Sequence, residues 1–145
     1  MGLNPGSRRD SRRRLVDMAV SPVVEEYKPP AEHLCEEHAM PIALDDLVEI
    51  CAVQQVYRGK IVHFSIEIKR RAHAMADPSV CYRIDTSHGE VHQHIYKPDG
   101  SERREVLEVI PTGKGADSWD FVDAWYERAS EMCFNDVETH VERWA

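Results

Sequence analysis

Residues 61–71 read Ile61-Val62-His63-Phe64-Ser65-Ile66-Glu67-Ile68-Lys69-Arg70-Arg71, and their alternation decides the fold. Val62, Phe64, Ile66 and Ile68 fall on one side of an extended chain, with His63, Ser65, Glu67 and Lys69 on the other. A helix would scatter those four apolar residues around its circumference, whereas a strand gathers them on one face. The stretch is therefore a half-buried strand, and its buried face needs neighbours and a cover.

Both follow downstream. After the turn residues Asp77-Pro78, the alternation returns with Val80, Tyr82 and Ile84 opposite Cys81, Arg83 and Asp85. Ser87-His88-Gly89 reads as a tight turn, and Val91, Gln93 and Ile95 then oppose His92, His94 and Tyr96. In Lys97-Pro98-Asp99-Gly100 the proline presets the first central position of a type I turn and Gly100 suits the left-handed closing position. That turn leads to a strand near Glu105–Ile110. Beyond Pro111 and the Gly113/Gly115 loop, Asp117 or Ser118 caps a long helix, with Asp120 in its first turn. Trp119, Val122, Tyr126, Ala129, Cys133, Val137, Val141 and Trp144 recur at helical spacing, and Asn135-Asp136 is the place for a kink or a split.

Upstream the pattern is less regular. Leu47 to Tyr57 is apolar with mixed period and fits a short helix or a strand, and Arg58-Gly59-Lys60 reads as a turn. Pro22, Pro29, Pro30 and Pro41 argue against long helices in the first third. The expected architecture is α+β, an antiparallel β-meander covered on one face by a long C-terminal helix. A single domain spans 21–145 behind a disordered basic tail, residues 1–20.

Composition agrees with one globular domain. The chain has 145 residues, 42% hydrophobic and 30% charged, which excludes a disordered or fibrous chain and a large multidomain enzyme. No apolar run has the length of a membrane span, and Leu15–Val24 is broken by Asp17 and Pro22, so no signal-peptide core is expected. Four scattered cysteines (35, 51, 81 and 133) point to a reducing, cytoplasmic location. The net charge is −8, yet Arg8, Arg9, Arg12, Arg13 and Arg14 face only Asp10 within residues 1–14. The remainder carries 13 Lys plus Arg against 25 Asp plus Glu, an acidic body that disfavours broad nucleic-acid binding. There is no internal repeat, no glycine-rich phosphate loop and no nucleophile elbow.

If the strands from 61 to 96 pair as neighbours, their polar faces coincide. His63, Glu67, Arg83, Asp85, His92, His94 and Tyr96 then share one surface, with His88 in the adjoining turn. Imidazoles suit proton transfer near neutral pH, a carboxylate orients an imidazole, and a guanidinium clamps a phosphate. Those are the requirements of metal-free RNA cleavage: a base for the 2′-hydroxyl, an acid for the leaving oxygen and a cation for the phosphorane. The plain alternative is an exposed strand face on which such residues merely avoid the core. A third reading is a metal site, with His92 and His94 two apart on a strand and Asp85 or His88 as third ligand. His33-x-Cys35-x2-His38 is metal-like in residue type but lacks a second ligand pair, so no zinc is assigned there.

The stretch Tyr82 to Tyr96 also resembles the core of small bacterial proteins with the pattern R-Y-D-x-x-H-G-x-x-H-x-H, some of them toxin components of toxin–antitoxin pairs. Arg83, Asp85, His88, Gly89, His92 and His94 match that pattern, and Ile84 stands where an aromatic is common. The resemblance implies a compact α+β domain, a partner protein and RNA cleavage.

The leading expectation is a toxin-like or stress-related small nuclease, a candidate ribonuclease using Arg83, Asp85, His88, His92, His94 and Tyr96 without metal or other cofactor. The alternative is a non-catalytic interaction protein, antitoxin-like or an adaptor, whose acidic body binds a basic partner. Candidate partners are an antitoxin or other protein, RNA and a second copy of the chain, and not a membrane. The tail gives the first test. Residues 1–14 have almost no apolar side chains to bury, so deleting them should leave the melting temperature unchanged. A fall of several degrees would mean that the arginines dock on the acidic body.

Overall fold

The computed structural model describes residues 25–144, and the expected basic tail lies outside them. Six strands form one sheet in the order of the chain: β1 (Glu36–Ala43), β2 (Val48–Tyr57), β3 (Lys60–Arg70), β4 (Ser79–Asp85), β5 (Glu90–Tyr96) and β6 (Glu102–Val109). All neighbours are antiparallel. Helices α1 (Ser118–Asn135) and α2 (Val137–Trp144) follow, and α1 lies chiefly on β3. The fold is thus the expected α+β meander covered by C-terminal helices.

Short links explain the order. Arg58 (φ 51°) and Gly59 (φ 79°) both sit in the left-handed region, the requirement of a two-residue type I′ hairpin between β2 and β3. Between β5 and β6, the Gly100 amide donates to the Lys97 carbonyl at 2.9 Å, and Gly100 has φ 88°. These turns set register, and register sends every second side chain to the helix side.

That side is the core. Val62, Phe64, Ile66, Ile68, Tyr82, Ile84, Val91 and Ile95 are all buried, as the alternation requires, and Val122, Ala129 and Cys133 of α1 cover them. Tyr126 is half-buried and meets Phe64 edge to face, ring centroids 5.3 Å apart. The thiols of Cys81 and Cys133 are pushed up to about 11 and about 12 by burial, so both act as small apolar groups.

Five features differ from the sequence reading or complete it. Leu47–Tyr57, open between helix and strand, is the strand β2. β1 was not expected in the proline-rich first third. Its residues are exposed throughout, and as the outermost strand it tolerates Pro41, which has no amide to pair. In β4 the pairing slips between Ile68 and Lys69, and this irregularity buries Cys81 while Val80 stays half-buried. Strict alternation had placed them the other way round. β6 begins at Glu102, three residues earlier than expected. The C-terminal helix divides at Asp136, and its buried set includes Trp125, absent from the expected stripe, whose indole donates to Glu108.

Capping is settled as well. Asp117 is the N-cap, and its carboxylate accepts the Asp120 amide at 3.1 Å. Lys60, at the start of β3, pairs with Asp120, and the Ile61 amide donates to Asp123 at 2.9 Å. These contacts fix the helix over the sheet at its N-terminal end.

A buried apolar position at the centre of this layer gives the second test. Ile66 is 1% exposed, and Ile66→Asp leaves a carboxylate with no partner there. Stability should fall by several kcal/mol, on the order of 3–5, read as the shift in a urea midpoint.

Candidate functional site

The opposite face of the sheet carries the polar residues, and pairing brings them together. Across β3, β4 and β5 one row runs Ser65, Asp85, His92 and the next Glu67, Arg83, His94. Arg83, Asp85, His92 and His94 therefore converge as the sequence suggested. They line a surface depression of about 380 Å³, together with His88 and Arg104.

Asp85 is its centre. The carboxylate is buried (5% exposed) and receives the Arg83 Nε–H at 2.8 Å and the Ser87 amide at 3.1 Å. His92 Nε2 lies 2.8 Å from its other edge, and His94 Nε2 is 3.7 Å away. A buried carboxylate is tolerated only with such compensation.

The two strand histidines are buried, at 1% for His92 and 7% for His94, which does not fit the plain alternative of an exposed strand face. Their environments assign their protons. A lone pair on His92 Nε2 would face the Asp85 oxygen, so Nε2 carries the proton, and Nδ1 is buried without a hydrogen-bond partner. His94 Nδ1 lies 2.5 Å from a Glu102 oxygen and donates to it. Its Nε2 then has a free lone pair, which accepts from Arg83 Nη2 at 3.2 Å. His92 is held by Asp85 and closed to solvent, whereas His94 presents an acceptor toward the guanidinium.

Arg83 has further neighbours. Its guanidinium stands 3.9 Å from Glu67 and 5.9 Å from the centroid of Tyr96. Tyr96 also stacks near His94, centroids 5.9 Å apart. His88 is exposed in the turn between β4 and β5, with φ 59°, its ring 6.5 Å from that of His92. Gly89 follows at φ 74°, and a Cβ there would lie 2.5 Å from Glu26 Cγ and 3.2 Å from the Tyr27 amide nitrogen. The glycine of the sequence pattern thus lets the incoming chain pass over the turn, where the Tyr27 hydroxyl reaches the Val62 carbonyl at 2.7 Å.

His63 takes no direct part. Its Nδ1 is 2.9 Å from Thr86 Oγ1, beside rather than within the depression. Glu102 and Arg104 of β6 were missed. Their signal was present in the turn, because closing Lys97–Ser101 as a hairpin sets Glu102 opposite Tyr96 and Arg104 opposite His94. Arg104 pairs with Glu90 at 2.8 Å.

Asp85, His92 and His94 each offer one ligand atom within 4.8 Å of the others, the one such group of three among the described residues. His33, Cys35 and His38 form none; Cys35 Sγ faces the carbonyls of Pro30 and Ala31, and His38 pairs with Glu36. Another depression, about 340 Å³, lies between Leu44 and Val48 on one side and Val137 and Val141 of α2 on the other, but brings no such polar set together. No helix among the described residues is long and apolar enough to cross a membrane. Comparison with family models, curated proteins and solved structures finds no match to this chain.

Burial lowers the proton affinity of three imidazoles. His63 and His92 are held below the ordinary value mainly by desolvation, which Asp85 opposes. On the core side, His140 stacks on Tyr82 with centroids 3.7 Å apart, and burial, assisted by Arg143, brings it down to about 4. Such groups take up protons first in the unfolded chain. Their contribution is complete above about pH 6.5 and is lost as pH falls through the lowered folded values. Stability should therefore decline from about pH 6.5 toward pH 5, and His140→Phe, which keeps the stack, should flatten that slope. Urea unfolding across the window measures both.

Proposed function

We propose that this protein is a small toxin-like ribonuclease that cuts without metal at the cluster around Asp85. The observation carrying this reading is the approach of the Arg83 guanidinium to the lone pair of His94 Nε2, 3.2 Å apart in one depression. A cation and a proton acceptor at that separation fit a phosphodiester and its adjacent 2′-hydroxyl.

The roles follow from access. When a phosphate takes the Arg83 guanidinium, His94 Nε2 is released to accept the 2′-hydroxyl proton. The 2′-oxygen attacks phosphorus, the bond to the 5′-oxygen breaks, and a 2′,3′-cyclic phosphate forms. The leaving oxygen takes a proton from His88, the exposed imidazole at the rim. Arg83 balances the charge on phosphorus, and Arg104 is the second cation of the depression. His92 is a positioning residue, since its free nitrogen is buried and its other nitrogen lies against Asp85. Tyr96 flanks the guanidinium and offers a ring for a base. A toxin of this kind implies a neutralising protein partner.

Charge favours a second reading. Glu67, Asp85, Glu90 and Glu102 surround Arg83 and Arg104, an arrangement better suited to a basic protein partner than to a polyanion. This is the interaction-protein alternative, in which the cluster serves only the fold.

Cleavage separates the two. Purified protein in EDTA should convert single-stranded RNA to fragments ending in 2′,3′-cyclic phosphate and leave 2′-O-methyl RNA intact. His94→Gln should slow the reaction about 10²–10⁴-fold. No cleavage, or equal rates for wild type, His94→Gln and Arg83→Met, would leave the interaction reading in place.

A further inference from the structure

The cluster around Asp85 holds two imidazole nitrogens and a carboxylate on one rigid piece of sheet. Asp85 ends β4, and His92 and His94 alternate on β5 directly opposite Asp85 and Arg83. Their ligand atoms lie within 4.8 Å of one another, and all three residues are buried. We propose that these residues form a binding site for one first-row divalent transition metal, with Zn²⁺ the type ion, and that the metal and the Arg83 guanidinium exclude one another.

The donor set points to this class of ion. Two imidazole nitrogens with one carboxylate oxygen suit zinc and its neighbours, not calcium or magnesium, which take oxygen ligands. Three protein ligands leave a fourth position for water or substrate, and all three residues line the depression. A tetrahedral site needs donors roughly 3.3 Å apart, with metal–nitrogen bonds of about 2.0–2.1 Å. His92 Nε2 lies 2.8 Å from Asp85 Oδ1 and His94 Nε2 lies 3.7 Å from Oδ2, and one ligand atom from each residue lies within 4.8 Å of the others, so small side-chain rotations bring three donors to that separation.

The surroundings independently support it. His94 Nδ1 donates to Glu102, the carboxylate–imidazole relay that typically stands behind a metal-bound histidine and directs its other nitrogen to the ion. His92 has no such partner: its Nδ1 is buried and unpaired, so ligation through Nε2 would exchange the contact with Asp85 for the metal and leave an N–H at Nδ1 without an acceptor.

Arg83 is the competing cation. It donates to Asp85 and to His94 Nε2, two of the three metal ligands. Its alternative seat is at hand: Glu67, its cross-strand partner, stands 3.9 Å away, and the Tyr96 ring lies on its other contact surface. A metal would displace the guanidinium toward Glu67 with no change in backbone. It would also occupy His94 Nε2, the base of the ribonuclease reading, so metal loading should inhibit metal-free cleavage. Metal binding itself does not depend on that reading.

The test is a titration of the purified full chain with Zn²⁺ against a chromophoric chelator, repeated with Co²⁺ to read the visible d–d bands of a nitrogen- and oxygen-ligated ion. One equivalent should bind. Arg83→Met should bind about tenfold tighter, because a neighbouring positive charge is gone. Glu102→Ala should bind about 10–100-fold weaker, and His94→Gln should lose the site. Circular dichroism of each variant shows that the fold is kept. If neither wild type nor Arg83→Met binds one equivalent, or if binding survives His94→Gln and so belongs to the cysteines, the proposal is overturned. Binding without RNA cleavage in EDTA leaves the metal site standing and removes the ribonuclease. Cleavage without binding does the reverse.

Discussion

A carboxylate taken out of water at the end of β4 is the constraint around which this polar face is arranged. Asp85 is 5% exposed, and an ion so placed persists only where positive or hydrogen-donating groups meet it on several sides. Arg83 comes from two residues back along the same strand, His92 from the facing strand and the Ser87 amide from the turn. Each contact belongs to a different backbone segment. The carboxylate therefore ties β4, β5 and their turn into one arrangement, and the depression takes its shape from that arrangement.

The face behind it works by different physics. There the sheet is closed by apolar area, with Ile66, Ile68, Tyr82 and Ile84 beneath Val122, Ala129 and Cys133. The two layers are coupled through register alone. Moving β5 by one residue against β4 would turn Val91 and Ile95 outward and bring His92 and His94 under the helix. Because that exchange buries imidazoles in an apolar layer, the hydrophobic core specifies the geometry of the charged cluster. The left-handed His88 and Gly89 belong to the same device, since the turn must close tightly for Asp85 and His92 to face each other.

The cluster holds its cation and its bases in mutual satisfaction. Arg83 bridges Asp85 and His94, while Glu102 fixes the proton of His94 on the far nitrogen. A ligand that engages Arg83, Asp85 or His94 Nε2, whether a phosphate, a metal ion or a basic side chain, must therefore replace an existing contact. Arg83 is the member able to yield, because it is the most exposed of the four and already lies near Glu67 and Tyr96. Selectivity at this site is a contest over one guanidinium.

The amino-acid sequence by itself determined the strands from 61 to 96, their core face, the turn at Lys97–Gly100 and the helix after Asp117. These rest on local periodicity and turn chemistry, which act over a few residues. It also brought Arg83, Asp85, His92 and His94 to one face, because neighbouring strands joined by tight turns leave little choice of pairing. Only the tertiary structure decided the rest. β1 is stabilised by pairing to β2 and has no pattern of its own, and the exchange of Cys81 for Val80 needs the irregular pairing beside Ile68. Trp125 is buried with its indole donating to Glu108 of β6, a partner that helical spacing does not reveal. Above all, the proton positions of His92 and His94 depend on Asp85 and Glu102, groups seven to nine residues away in the chain. A side chain's period along a strand says which way it points, and only the folded neighbours determine what it meets there.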